Sequence, residues 1–265
     1  MRRGISRSSL VIVSLALALS LILVYFAAMG GLGGHPSASI VGIGQFIVNN
    51  TYNVFNRTYW AGSPEAVTSI IWDYRGFDTI FETTVLFAAV MAALLLVPKG
   101  IRGRMQGSGK DEGLTLIVKT ASKIISCVVV VLALNLALRG YISPGGGFAG
   151  GSSYAIAPLL LIAGLSVFYL VRLGYRLSRA IGLRTLGLVG LVVVSSLPLL
   201  YMGYIIQNQA KPGSMFPGYP VFLGPLYLGG SLIYMNVFEF LVVSMEFIII
   251  FIAMFLLDRG CGGSA

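Results

Sequence analysis

The sequence predicts an all-α integral membrane protein with about six transmembrane helices and both termini in the cytoplasm. Of the 265 residues, 57% are hydrophobic and only 10% are charged, whereas an average soluble domain is about 25% charged. The mean hydropathy is +0.89, and apolar runs recur at the length of about 20 residues that crosses about 30 Å of hydrocarbon. Basic residues are concentrated in alternate connections between these runs. A water-soluble globule is therefore excluded as the leading class.

Six apolar runs are long enough to form helical spans. They are Leu10–Met29, Phe77–Val97, Leu114–Leu138, Tyr154–Val171, Thr185–Gly203 and Ser231–Leu257. The first run has features of a signal peptide, because Arg2, Arg3 and Arg7 precede it. Its apolar core of 20 residues exceeds the h-region of about 7–15 residues that signal peptides have. An uncleaved first span is therefore favoured.

Basic residues predict the orientation of the spans. Twelve Lys and Arg residues lie before span 1, between spans 2 and 3, between spans 4 and 5, and after span 6. The connection between spans 4 and 5 is predicted to contain Arg172, Arg176, Arg179 and Arg184. Only four basic residues fall on the other side, so the positive-inside rule places both termini in the cytoplasm. The net charge of +9 therefore reflects topology in a lipid bilayer and implies no nucleic-acid partner.

The chain divides into two predicted modules. Residues 98–113 are rich in glycine and charge and show no apolar periodicity, which indicates a cytoplasmic linker. A two-helix module at 1–97 and a four-helix module at 114–265 lie on either side of it. The outer segment Gly30–Gly76 carries several aromatic residues, which favour the membrane interface. Parts of this segment lie on the bilayer surface in one interpretation, and in the other it is a simple connecting loop.

Six ionisable residues fall inside the predicted spans, where charge is costly and usually faces a bundle interior or an aqueous path. They form three pairs, each on one helix face because of its spacing: Asp78 with Glu82, Lys119 with Lys123, and Glu239 with Glu246. If the three faces meet, acids and lysines alternate through most of the membrane as an ion path. In the alternative interpretation they are buried ion pairs that fix helix register, with Lys119 extending to the cytoplasmic interface.

A glycine-rich motif lies between spans 3 and 4. The segment 143–151 reads Ser-Pro-Gly-Gly-Gly-Phe-Ala-Gly-Gly. A dinucleotide site is rejected because no βαβ unit surrounds the motif, and a phosphate loop is rejected because Ser152 stands where lysine is required. Pro144 fixes the entry and Phe148 supplies one bulky side chain. The motif forms either irregular backbone whose carbonyls face a cation or a tight outer turn.

No cofactor or metal site is predicted. Cys127 and Cys261 are far apart, and the single histidine, His35, lies in a Gly-rich outer segment. These residues cannot hold an iron–sulfur cluster or a haem. The chain itself is therefore expected to have no redox apparatus.

Two segments carry a resemblance to a known family. The region from Ile117 through Pro144-Gly-Gly-Gly-Phe-Ala-Gly-Gly to span 6 resembles the small B subunit of multisubunit Mrp-type Na⁺/H⁺ antiporters. The stretch Tyr74-Arg-Gly-Phe-Asp-Thr-Ile-Phe-Glu-Thr-Thr-Val-Leu86 resembles a segment near the end of the large A subunit. The predicted linker separates these two regions, which indicates a fusion of two family pieces.

The resemblance implies a non-catalytic subunit of a large prokaryotic membrane complex, archaeal in one alternative, that helps to line a Na⁺ or H⁺ path beside other antiporter subunits. Asp78 and Glu82 correspond to the acids of the A-type segment, and Pro144 and Phe148 to the family's glycine turn. One alternative is a subunit in the ion-pumping arm of a membrane-bound hydrogenase or related oxidoreductase, with hydrogenase-like and iron–sulfur partners. The other alternative is a structural spacer subunit. In span 6 the family often has an acid near the position of Asn236, whereas here the acid is Glu239, about one turn later.

Overall fold

The computed structural model describes residues 7–29, 42–53, 55–56, 58–97, 113–201, 203–206, 222–223, 226–227 and 229–261. Within them the helices are α1 (Arg7–Ala28), α2 (Gly42–Thr51), α3 (Ala66–Ser69), α4 (Gly76–Leu96), α5 (Leu116–Arg139), α6 (Gly147–Gly164), α7 (Val167–Arg172), α8 (Leu177–Ser196) and α9 (Ser231–Cys261). A π-helical turn, Ile70–Tyr74, follows α3, and a 3₁₀ turn, Leu197–Leu200, follows α8. The strands β1 (Phe222–Leu223) and β2 (Leu226–Tyr227) form a short antiparallel pair.

The helical membrane fold predicted from the sequence is confirmed. Across the described ranges, five helices are long and apolar enough to cross a membrane, and α1 contains a shorter apolar stretch, Val13–Phe26. The protein is therefore a multi-pass membrane protein. The inward orientation of both termini, the linker at 98–113 and the two modules beside it stay predictions. Of that linker the structure describes Gly113 alone, and His35 also lies outside the described residues.

The chain forms two compact units, Met1–Gln45 and Phe46–Ala265. The first contains α1, whose 22 residues extend about 33 Å at about 1.5 Å per residue. In the second unit α9 is the central helix and packs against α4, α6 and α8, and less extensively against α5. Its isoleucines Ile248, Ile249 and Ile252 are fully buried. Van der Waals contacts of these side chains with the neighbouring helices stabilise the bundle core.

Small residues let the helices of this bundle approach closely. On α6, a Cβ added at Gly150 would lie 2.8 Å from the carbonyl oxygen of Ala133 on α5. On α8, a Cβ at Gly187 would lie 2.7 Å from a methyl group of Val242 on α9. Close backbone approach of this kind drives association inside a membrane, where lipid removes most of the hydrophobic advantage of helix contact.

The predicted boundaries of two spans were wrong. Helix α6 begins at Gly147, inside the glycine motif, and ends at Gly164, so the predicted span Tyr154–Val171 is shifted by about two turns. Helix α8 begins at Leu177, eight residues before the predicted start at Thr185. In both cases residues typical of turns or loops are held in a helix by tertiary contacts. The most important consequence is that Arg184, predicted in a cytoplasmic connection, is buried within α8.

Part of the outer segment is buried against the glycine turn. The side chains of Ser63, Thr68 and Trp72 are buried. The Ser63 hydroxyl donates to the carbonyl of Tyr141 at 2.5 Å, and the Thr68 hydroxyl donates to the carbonyl of Gly140 at 2.5 Å. These residues therefore satisfy buried backbone carbonyls of Tyr141 and Gly140.

Candidate functional site

Three polar residues lie along one face of the central helix α9. Asn236, Glu239 and Glu246 are separated by three and seven residues, which places them on the same side of a helix. All three are buried, with 0–1% of each residue exposed. Buried acids are rare unless they are paired or functional. This polar row is the centre of the candidate site.

Glu239 meets the glycine motif directly. Its Oε2 atom accepts a hydrogen bond of 3.0 Å from the backbone N–H of Phe148. Phe148 is the second residue of α6, and the residue that precedes the helix, Gly146, has φ +135°, which favours glycine. Free N–H groups and the helix dipole favour negative charge at this end. The glycine motif therefore presents a helix N-terminus to a buried carboxylate, and Pro144 lies in the exposed part of the turn before it.

Asn236 is held by a tryptophan that the sequence did not single out as a site residue. The Trp72 indole N–H donates to Asn236 Oδ1 at 2.7 Å, and Trp72 is 1% exposed. Trp72 belongs to the π-helical turn, in which the N–H of Arg75 donates to the carbonyl of Ile70 at 2.8 Å. Short π-helical turns are frequent at functional sites. Within the described part of the chain, Asn236 Nδ2 has no hydrogen-bond partner.

The acids of α4 lie in the first two turns of that helix. Asp78 is exposed and forms an ion pair with Arg75. Both line a cleft of about 370 Å³ at the beginning of α4, together with Asp73 and Ile206. Glu82, one turn further along the helix, is exposed but close enough to Glu239 to interact with it electrostatically. Glu82 is thus within electrostatic range of one acid of α9, and the continuous path through all three polar faces stays a prediction.

Glu246 has a neighbour that sequence reasoning missed. Arg184 is 2% exposed and lies within electrostatic range of Glu246. Its guanidinium is 4.5 Å from the ring of Phe87 and donates to the sulfur of Met91 at 3.4 and 3.5 Å. Among the described residues, neither Glu246 oxygen has a hydrogen-bond partner, and no ion pair within 4.0 Å joins the two groups. Two buried charges thus lie near each other with unsatisfied hydrogen-bonding capacity.

The packing of α8 on α9 explains why Arg184 reaches Glu246. Gly187 contacts Val242, and Ala180 belongs to the same buried cluster as Ile249. Arg184 lies between Gly187 and Ala180 on the buried face of α8, which places it opposite the turn of α9 that contains Glu246. A signal existed in the sequence, because positions 180, 184, 187, 191 and 194 repeat at helical spacing.

The lysines of α5 are not joined to these acids. Lys119 is half-buried and Lys123 is exposed, and the Lys123 ammonium lies 5.2 Å from the centre of the Tyr169 ring on α7. Helix α5 packs mainly against α6. Within the ranges that the structure describes, neither lysine makes an ion pair with an acid. In the same ranges, no group of three His, Cys, Asp or Glu side chains could hold a metal ion.

A family comparison identifies the four-helix region. Residues 117–249 match the family described as "Domain related to MnhB subunit of Na+/H+ antiporter". This match spans half of the chain. The chain belongs to this family. The MnhB-related domain extends from the second residue of α5 to Ile249 in α9 and so contains Glu239, Glu246, Arg184 and the glycine motif.

Similar proteins extend the comparison to nearly the whole chain. An uncharacterised protein of Methanocaldococcus jannaschii is 25% identical over 190 residues, which are 66% of this chain and 70% of that protein. A chain of the membrane-bound sulfane sulfur reductase, an archaeal respiratory membrane complex, is 21% identical with a TM-score of 0.69, covering 92% of this chain and 98% of that one. A chain of the Mrp complex from Dietzia sp. DQ12-45-1b is 20% identical with a TM-score of 0.63, covering 96% of this chain and 26% of that one. The fold is therefore shared with both complexes.

Proposed function

We propose that the protein is a membrane subunit of an Mrp-type cation/proton antiporter module, in which it helps to line a Na⁺ or H⁺ path. The observation that carries this proposal is the pair of buried acids on one face of α9, Glu239 and Glu246, with Glu82 close to the first. Membership of the MnhB-related family supports the assignment.

The path begins at the acids of α4 and continues along α9. Asp78 lines the cleft at the beginning of α4. Glu82 lies between this cleft and α9 in the proposed path, and it interacts electrostatically with Glu239. Carboxylate oxygens are suitable ligands for a small hard cation and also accept protons. From Glu239 to Glu246 the helix rises by about 10 Å, which exceeds any direct hydrogen bond. Water molecules or movement of the Glu246 side chain must therefore complete the path.

Glu239 has two roles in this proposal. Its bond to the Phe148 N–H connects α9 with the beginning of α6, so arrival of a cation or proton at this carboxylate competes with the helix N-terminus for the same oxygen. The glycine turn, with Pro144 and Phe148, thereby becomes sensitive to the state of Glu239. Lys119 and Lys123 contribute to a path only through helices of other subunits, because within the described residues they do not reach an acid.

The transport test uses the intact complex in membrane vesicles. Glu239→Gln and Glu246→Gln keep the side-chain size but remove the carboxylate charge. We expect each to lower cation-dependent proton movement by at least about tenfold, equivalent to roughly 1.4 kcal/mol in the barrier. The matched control is Ser244→Ala, which alters a buried polar residue of the same helix and should leave transport unchanged. Wild-type transport by both glutamine variants in correctly assembled complexes would refute the proposed path.

A redox-driven complex is the second candidate. The related chain of the sulfane sulfur reductase complex is covered over 98% of its length, whereas only 26% of the Dietzia chain is covered. Because the related chain is of nearly equal length, it supports a second role for this protein: a subunit of a respiratory complex in which electron transfer drives the same module. Iron content and reductant-driven Na⁺ uptake of the purified complex distinguish the candidates. A free-standing antiporter contains no iron–sulfur subunits and responds only to ion gradients.

A further inference from the structure

In the described part of the chain, helix α5 exposes polar side chains, among apolar ones, on a face outside the one that packs against α6. Thr120, Lys123, Cys127 and Asn135 are all exposed, and spacings of three, four and eight residues place them within one arc of about 120° at 100° per residue. The packed face lies elsewhere on the helix, where Ser122, Ser126, Ala133 and Ala137 are buried. We call the four exposed residues the α5 polar face.

The depth of Lys123 makes lipid an unfavourable neighbour for this face. Lys123 is the eighth residue of a helix of 24 residues, so its backbone lies about 10 Å from the helix start. Charged side chains inside a span are almost always directed into a protein interior or a water-filled cavity and paired there. The ring of Tyr169 attracts the ammonium from one side, but a ring cannot neutralise it. Exposed Asn135, three turns further along, is also poorly suited to hydrocarbon.

We propose that the α5 polar face is the docking site of a transmembrane helix from another subunit, and that this helix carries an Asp or Glu opposite Lys123. The inference rests on the proposed membership of a multisubunit complex but concerns assembly and not transport. Charge complementarity identifies the occupant. The first helix of this chain contains no acid between Arg7 and Ala28. A second copy of the chain docked face to face would bring two Lys123 side chains together.

Native Cys127 provides a probe in the centre of the face. Its thiol is free and exposed, and Cys261→Ser leaves it as the single cysteine of the chain. A maleimide–benzophenone reagent is attached to Cys127 in the membrane and photolysed in the intact complex, and the adduct is located by mass spectrometry. We expect the adduct on a membrane helix of another subunit, within one turn of an Asp or Glu. Ile125→Cys, with Cys127→Ser, is the matched control, because Ile125 is exposed outside the arc, and it should label lipid.

Charge variants supply a second measurement that does not depend on labelling. Lys123→Glu should lower the yield of the neighbouring subunit in the purified complex by at least about tenfold, whereas Lys123→Arg should retain it. An adduct of Cys127 on lipid, on the first helix or on a second copy would overturn the inference, as would normal retention in Lys123→Glu. Purification of this chain without any other subunit would instead contradict the proposed function.

Discussion

Replacing Gly147 by alanine is expected to destabilise the four-helix region by at least about 3 kcal/mol. Overpacking a core usually costs about 1–3 kcal/mol, and this site is unusually tight. A Cβ at this position would lie 2.6 Å from the Cβ of Glu239 and 2.5 Å from its Oε2 atom. Neither α6 nor α9 can yield locally, because a Cβ at Gly151, one turn further along, would also lie only 2.8 Å from the Cβ of Val243. The variant must separate the helices and break the bond between Glu239 and the Phe148 N–H. Thermal unfolding and subunit content of the purified complex measure the effect.

Gly182→Ala is the matched control for this prediction. Gly182 also lies in a membrane helix, α8, but a Cβ there meets nothing within 4 Å. Alanine has a higher helix propensity than glycine, so this variant should be neutral or up to about 1 kcal/mol more stable. Equal stability of the Gly147 and Gly182 variants would contradict the close approach of α6 and α9.

The fold was predictable because hydrophobicity dominates the membrane-spanning segments. Runs such as Phe77–Val97 and Ser231–Leu257 predicted α4 and α9 within a few residues. The start of α6 was not predictable, because glycines at 145–147 are typical of turns and only contact with α9 makes Gly147 helical. The start of α8 was missed because Arg184 and the arginines before it were assigned to a cytoplasmic connection. Burial of Arg184 depends on neighbours from α4 and α9, which the sequence of α8 does not reveal.

The candidate site was predictable in part for a related reason. Glu239 and Glu246 were evident because a charge inside an apolar run is conspicuous in any sequence. Trp72 and Asn236 formed no such signal, since an aromatic and an amide are common in outer segments and helix ends, and their hydrogen bond joins residues 164 positions apart. The prediction that lysines and acids alternate required all three polar faces to meet. In the described residues, packing of α5 on α6 leaves Lys123 on a different face from the acids.

Arg184→Met is expected to destabilise the assembled subunit by about 0.5–3 kcal/mol, the range over which residues in one buried network couple. The guanidinium loses its contacts with Phe87 and Met91, but methionine fills similar volume, so packing accounts for little of the effect. The larger part is electrostatic, because Glu246 remains fully buried without the nearby positive charge. Denaturant or thermal unfolding of the purified complex measures the change.

A double-mutant cycle isolates that electrostatic part. Glu246→Gln removes the carboxylate charge that Arg184→Met leaves without a nearby cation. The double variant should therefore recover at least half of the stability lost in Arg184→Met. Residues in one buried network couple by about 0.5–3 kcal/mol. Arg179→Met, which replaces an exposed arginine of the same helix, should change stability by less than about 0.5 kcal/mol. Additive effects in the cycle would show that the two buried groups do not interact, and that Arg184 contributes by packing alone.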